Sequence, residues 1–278
     1  MRIWKYSPRD VSLVAIAVGQ FAGTTAWAVV FHRLPLVWNF ACFAVITYVF
    51  YYNPVVVTHN FLHTPFFRRR LANRLFAMFN SANLFLPQVL YKYHHLVHHQ
   101  HANDPVRNGT TQDPSSTYRY GRDGRQEGFF TYCALSLFRD GGTGPAFREA
   151  MRHGQQKQFA LELATIVVVA AIWLVIDWRW VLVAFVPTFY FGWFLALLEN
   201  YYEHHHASNQ QDRLADSVSY YGRWYNVLMF NEGYHQEHHL KPHLHWTRRP
   251  AVHQEYQTQF KEAGAYEARM PPILGFLD

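Results

Sequence analysis

The chain is 278 residues long, carries a net charge of +6 and contains only two cysteines, Cys42 and Cys133. Two thiols argue against a disulfide scaffold, an iron–sulfur cluster or a zinc–thiolate site. No aromatic-and-basic motif of an RNA-binding module accompanies the positive charge, so it reads as membrane topology and attraction to anionic lipid, with no nucleic-acid partner.

Hydropathy divides the chain. Residues 11–31 run without a charge after Arg2, Lys5 and Arg9, and residues 36–57 do the same. The first run is too long for the apolar region of a signal peptide and a second follows at once, so it reads as a retained span. Residues 159–176 hold one charge, Glu162, and residues 180–198 hold none. At ~1.5 Å per residue each run covers roughly 27 to 33 Å, which matches a hydrocarbon core of about 30 Å. Four membrane spans are expected, at 11–31, 36–57, 159–176 and 180–198. The connections at 32–35 and 177–179 are short enough to make them two hairpins, and Trp38, Trp178 and Trp180 stand near the ends, where interfacial aromatics belong. Of the 25 Lys and Arg, these connections hold only Arg33 and Arg179. The positive-inside rule then puts both termini, residues 58–158 and residues 199–278 in the cytoplasm. The expected architecture is a single all-α domain over 1–278, integral to the membrane and multi-pass, with four transmembrane helices in two hairpins and a cytoplasmic helical cap.

Within the polar stretches, residues 65–79 mix aromatic and basic residues at helical spacing, as in a helix lying at the lipid interface or packed on the cap. Residues 108–128 are rich in Gly, Ser, Thr, Asp and Arg without an apolar period and read as a mobile loop. The same polar stretches hold the histidine clusters. Five histidines fall between His94 and His101, and the spacing of His95, His98 and His99 recurs at His235, His238 and His239. On a helix, positions i, i+3 and i+4 share one face, so each cluster aims three imidazoles at one small volume. His59 and His63 add an i, i+4 pair, and Asn200 and His204 another.

Ten nitrogen or oxygen donors suffice for two metal ions. Imidazole suits zinc, copper, nickel and iron alike, but closed zinc sites use four ligands, commonly including Cys. A pair of irons with positions open to oxygen fits better. Two rivals are a soluble carboxylate di-iron bundle, for which Glu203-x-x-His206 and Glu232-x-x-His235 would serve, and a metal transporter. The first makes the repeated spacing accidental twice, and transporters place ligands inside the spans, whereas these follow the span ends. His94, His101, His205, His206, His243 and His245 have no assigned role, and His32, His153 and His253 read as lone solvated residues.

His59-x-x-x-His63, His95-x-x-His98-His99 and His235-x-x-His238-His239 resemble the three histidine boxes of the membrane fatty acid desaturase superfamily, which includes alkane, acyl and carotenoid hydroxylases and ketolases. The run from His95 to Asn103 is similar to HxxHHxxTN with Ala102 in place of Thr, and Asn231 to Pro242 is similar to GEGxHxxHHxxP with Asn231 in place of the first Gly. Asn200 and His204 match the extra NxxxH ligands of acyl desaturases, while Asn200-Tyr201-Tyr202-Glu203-His204 also resembles the NYxEH motif of alkane hydroxylases.

The resemblance implies two Fe(II) ions held by His59, His63, His95, His98, His99, Asn200, His204, His235, His238 and His239. Asn103, Asp104, Glu203 and Glu232 are candidates to support those ligands. It implies O2 as co-substrate and attack on an unactivated C–H bond of a lipid or acyl chain, most simply desaturation, alternatively hydroxylation or ketone formation. Aromatic residues of the last span (Phe185, Phe189, Tyr190, Phe191, Trp193) either line a substrate tunnel or pack between helices. Electrons must come from an external ferredoxin, rubredoxin or cytochrome, and Arg68 to Arg70, Arg122, Arg125, Arg248 and Arg249 are candidates to receive an acidic donor or to face lipid headgroups.

Overall fold

A computed structural model describes residues 3–105, 107, 110–139, 142–208 and 212–278. Among these the chain is helical, with isolated bridges such as Trp4–Phe67 and Ser219–Glu267 but no strand. In order, the helices are α1 (Asp10–Val30), α2 (Leu36–Tyr52), α3 (His59–His63), α4 (Arg70–Leu84), α5 (Gln88–His101) and α6 (Phe129–Leu135). Then come α7 (Thr143–Arg152), α8 (Gln156–Trp180), α9 (Val186–Tyr202), α10 (Arg223–Leu228), α11 (His235–Leu240) and α12 (Arg249–Glu262).

Among the described residues three helical stretches are long and apolar enough to cross a membrane: Asp10–Arg33, Leu36–His63 and Gln156–Tyr202. The first two take in the expected runs at 11–31 and 36–57. The third, of 47 residues, absorbs both later runs, and unbroken it would measure about 70 Å, twice a bilayer core. It is interrupted at Asp177, whose backbone leaves helical geometry (φ −163, ψ 94). The Asp177 carboxylate accepts the N–H groups of Arg179 and Trp180 at 3.0 and 3.1 Å, the work of an N-cap.

By its contacts the chain falls into two compact units, residues 1–92 with 147–196, and residues 93–146 with 197–278. The first has a core of Trp27, Ala28, Ile46, Phe50, Ala82, Val169, Trp173, Trp180, Ala184 and Phe185. Phe185 packs against Phe50, Phe85, Trp173 and Trp180, so its role here is packing. The α4 segment buries Phe76, Asn80, Ser81 and Asn83 and leaves Leu71 and Leu75 exposed.

Between α2 and α3 the helix widens to a π-turn over Asn53–Thr58. Pro54 has no N–H to give the preceding turn, and the freed backbone must be re-satisfied where water is absent. A fully buried amide network surrounds it. Asn53 donates to Gln20 Oε1 and Asn80 Oδ1 at 2.5 and 2.8 Å, Thr58 donates to Asn53 Oδ1 at 2.8 Å, and Asn80 donates to Thr58 Oγ1 at 2.8 Å. Glu162 is also buried, and accepts the Val89 N–H and the Gln158 amide, each at 2.9 Å, so that it caps the first turn of α5.

In the second unit, residues 110–128 do not form a loose excursion. Asp113, Ser116, Thr117 and Glu127 are buried, Ser116 donates to the Asp104 carbonyl at 2.7 Å, and Tyr201 donates to the Glu127 carbonyl at 2.7 Å. The reading of this segment as mobile overlooked these polar side chains, which bond inward. Asn108 and Gly109 lie outside the described residues.

Candidate metal centre

Helix α5 ends on His95, His98, His99 and His101, and α11 begins on His235. Both are helical across their HxxHH spacing, so each presents its three histidines on one face. In the second unit they meet in two groups. His95 and His99 approach Nε2 to Nε2 at 2.9 Å, and His99 and His238 at 3.1 Å. In the other group, the Nε2 atoms of His98 and His204 are 3.0 Å apart and those of His204 and His235 3.4 Å, while the ligating atoms of His98, His204 and His239 lie within 4.8 Å of one another. His59 and His63 belong to the first unit, where their rings stand edge to face with centroids 5.2 Å apart.

The hydrogen bonds behind these rings fix which nitrogen faces inward. His98 Nδ1–H donates to the Asp113 carboxylate at 2.9 Å, and His204 Nδ1–H donates to the Asp216 carbonyl at 3.2 Å. A neutral imidazole has one N–H. With both protons committed outward, the two Nε2 atoms 3.0 Å apart offer each other only lone pairs, which repel unless a cation lies between them. Ligands ~2.1 Å from one metal at right angles stand about 3 Å apart. His239 makes the same point: it is completely buried, and among the described residues neither ring nitrogen has a hydrogen-bond partner, the Asp216 carboxylate standing 3.7 Å from Nδ1.

Electrostatics keep His204 and His239 neutral. Burial, then the neighbouring His98, push the His204 pKa down to about 3. Burial and the crowd of His235, His204, His98 and His95 hold His239 well below the usual imidazole range. Burial alone would raise the Asp113 carboxyl, but His98, His204 and the Ser115 N–H outweigh it and hold it below the ordinary carboxylate range. Asp216 goes the other way, up to about 7, because burial outweighs Arg213 and His98. Neutral imidazoles backed by acceptors are the donor set that a transition metal takes.

Among the residues expected to support the ligands, Asn103 donates to the His204 carbonyl at 3.1 Å and accepts from the Thr117 hydroxyl at 3.0 Å. Glu203 lies 3.2 Å from His235 Nδ1, and burial, then Glu199 and Glu232, hold its carboxyl well above the usual range. Glu232 pairs with Arg249 at 2.9 Å, and Arg249 lies 3.3 Å from His238 Nδ1. Asp104 organises the turn after α5, accepting Thr111 and Ser116 hydroxyls at its carbonyl. Asn200 donates from Nδ2 to the Tyr132 hydroxyl at 2.8 Å.

Several sequence readings need correction. Arg249 is 2% exposed and paired with Glu232, so it cannot receive an electron donor at the surface. His253 is not simply solvated: its Nδ1 lies 2.6 Å from the buried Glu237. His32 meets Asp177 at 2.7 Å, and His153 meets Glu149 at 3.1 Å from the turn just past α7. His245 caps the turn that starts at Trp246 by accepting from Thr247 N. Asp113, Asp216 and Tyr132 carried no motif and were missed; they are visible only once the histidines have a fold around them.

The departures from the family pattern also have local causes. Asn231, where the third box has Gly, sits at φ +61, a left-handed conformation that Asn tolerates better than most residues. Gly233 has no such freedom, because a Cβ there would fall 2.2 Å from the Tyr220 carbonyl oxygen. The buried imidazole clusters, the α-helical fold and the long apolar helices together define a histidine-rich helical protein suited to a membrane. Residues 35–269 match the fatty acid desaturase family, and the chain belongs to that family. No curated protein matches it. Membership implies a lipid substrate and association with the membrane.

Proposed function

We propose that the protein is an O2-dependent di-iron desaturase of a lipid or fatty acyl chain. The observation that carries this is the pair of facing lone pairs on His98 and His204 beside the orphaned His239, together with the second group on His95, His99 and His238. The two irons would be held by the ten donors that the histidine boxes supply: His59, His63, His95, His98, His99, Asn200, His204, His235, His238 and His239. When bound, the metals supply the activation of O2 that attack on an unactivated C–H bond requires. The chain's own residues hold the ring nitrogens in place, keep the imidazoles neutral and exclude water from a buried site. A hydroxylase or ketolase is the second reading, favoured by Glu203 within Asn200-Tyr201-Tyr202-Glu203-His204.

The same proposal includes four spans, with residues 156–202 read as two of them and the histidine region cytoplasmic. Two contacts in the first unit support a hairpin at Asp177. The Trp173 and Phe185 rings are 5.0 Å apart, where twelve residues of straight helix would rise about 18 Å. The 2.7 Å contact of His32 with Asp177 brings the two short connections together. Electrons would come from a separate ferredoxin, rubredoxin or cytochrome, with Arg68 to Arg70, Arg122, Arg125 and Arg248 available at the surface.

Isotope labelling tests the chemistry. With substrate deuterated at the two target carbons, a desaturase removes one deuterium from each and incorporates no oxygen from 18O2. A hydroxylase removes one and adds one 18O. Elemental analysis should find close to two irons per chain, and one zinc with no iron would reject the di-iron reading.

A further inference from the structure

The last turn of α9, which closes the apolar stretch Gln156–Tyr202, is gripped by two short parts of the second unit, α6 with the 3-10 turn Pro272–Leu277 on one hand and α10 on the other. Tyr202 packs against Phe129, centroids 5.9 Å apart. It also lies against the 3-10 turn Pro272–Leu277, where a Cβ on Gly275 would fall 2.3 Å from Tyr202 Cγ. Phe129 in turn stacks on Phe276. One turn earlier, Glu199 accepts a hydrogen bond from the Tyr225 hydroxyl of α10.

Both elements turn large apolar side chains outward. From residues 129–138, Phe130 is 64% exposed and Phe138 75%, and Phe276 and Leu277 extend that surface. On α10, Trp224, Val227 and Leu228 occupy i, i+3 and i+4 and are 73%, 63% and 65% exposed. An aqueous surface rarely carries two such faces. The apolar stretch Phe129–Phe138 is too short to span a bilayer but long enough to lie in its interface.

We propose that α6 with the 3-10 turn Pro272–Leu277, and α10, are seated in the headgroup–acyl boundary of the bilayer around the exit of α9. Their anchorage decides for lipid over a protein partner: both elements are fastened within residues 199–202, at the end of an apolar helix, so both faces meet the level where that helix leaves the membrane. Arg223 stacks over Trp224 at 5.5 Å, a pairing suited to anionic headgroups above an interfacial indole. The seat rests on the reading of residues 156–202 as membrane-spanning.

Spin labels test the seat in the full-length, iron-loaded protein in phosphatidylcholine–phosphatidylglycerol nanodiscs. Labels would go on Phe138→Cys, Leu277→Cys and Val227→Cys in a Cys42→Ser, Cys133→Ala background. Val168→Cys, within the apolar stretch, gives the lipid reference, and Arg125→Cys, in an exposed turn, the aqueous one. The ratio of O2 to nickel-complex collision rates should be several-fold higher at 138, 227 and 277 than at 125, and should approach that at 168. Aqueous values at the three positions with a lipid value at 168 would overturn the seat alone. An aqueous value at 168 would overturn the spanning reading and the seat with it. Low collision rates with both reagents at 138 and 227 would reject lipid in favour of a second copy of the chain.

Discussion

Asn200 donates its amide N–H to the Tyr132 hydroxyl at 2.8 Å, while Tyr132 donates its own proton to the Ser115 carbonyl at 2.9 Å. A phenol has one proton, so toward Asn200 it can only accept. Burial, then Asp113, raise the Tyr132 pKa well above the normal phenol value, so that proton stays in place. The amide nitrogen is therefore held at Tyr132, and the carbonyl end, the only end able to ligate iron, is left for the proposed metal.

Tyr132→Phe should free that amide to turn and lower iron affinity by about 10- to 100-fold, the usual cost of losing a group that orients a ligand. Chelator titration followed by iron analysis measures it. In an Asn200→Asp background the same change should cost little, because a carboxylate presents oxygen at both ends. An equal loss in both backgrounds would assign Tyr132 to packing alone.

Asp113→Ala removes the acceptor that fixes the His98 tautomer. Its iron affinity should also fall by about 10- to 100-fold, with helical content unchanged by circular dichroism. His238→Ala, which removes a proposed ligand outright, should abolish turnover while the protein still inserts into the membrane.

The grouping of the histidines was legible because two HxxHH spacings on helices leave little geometric freedom. What backs these histidines was not legible. Asp113 stands in a stretch whose composition resembles a surface loop, and only its burial against His98 distinguishes it. Glu162 read as a stray charge near the start of a span, because capping α5 from a helix 73 positions away has no periodic signature. The break at Asp177 is legible in hydropathy as a gap between two runs, and the backbone there leaves helical geometry as that gap implies. The π-turn at Asn53–Thr58 had one cue, Pro54, but its polar partners Gln20 and Asn80 come from other helices.

The iron-free protein should lose stability in acid. The His204 pKa, pushed down to about 3 from an ordinary 6.5, lies below its unfolded value, so the unfolded chain takes up the proton first. The contribution is present above pH 6.5 and is lost as pH falls from 6.5 toward 3. Asp216, raised to about 7 from 3.8, acts in the opposite sense, its contribution being lost as pH rises through that range. In an Asp216→Asn background the melting temperature of the iron-free protein should therefore drop more steeply below pH 6.5 than in the parent, and adding His204→Gln should flatten that limb. A limb of unchanged slope in the double variant would locate the acid sensitivity elsewhere.

Asn80 is the hub of the buried amide network at the π-turn, donating to Asn53 and Thr58 and accepting from Asn53 and Asn83. Asn80→Leu leaves those partners buried with lost bonds, at a cost of about 1–3 kcal/mol for each group left unsatisfied. The thermal midpoint in detergent should fall by several degrees. Because the π-turn runs directly into His59, a proposed ligand, the same substitution should also lower the iron occupancy. Iron analysis giving between one and two irons per chain would agree with that coupling. Two irons in a protein of lowered midpoint would confine the network to a structural role.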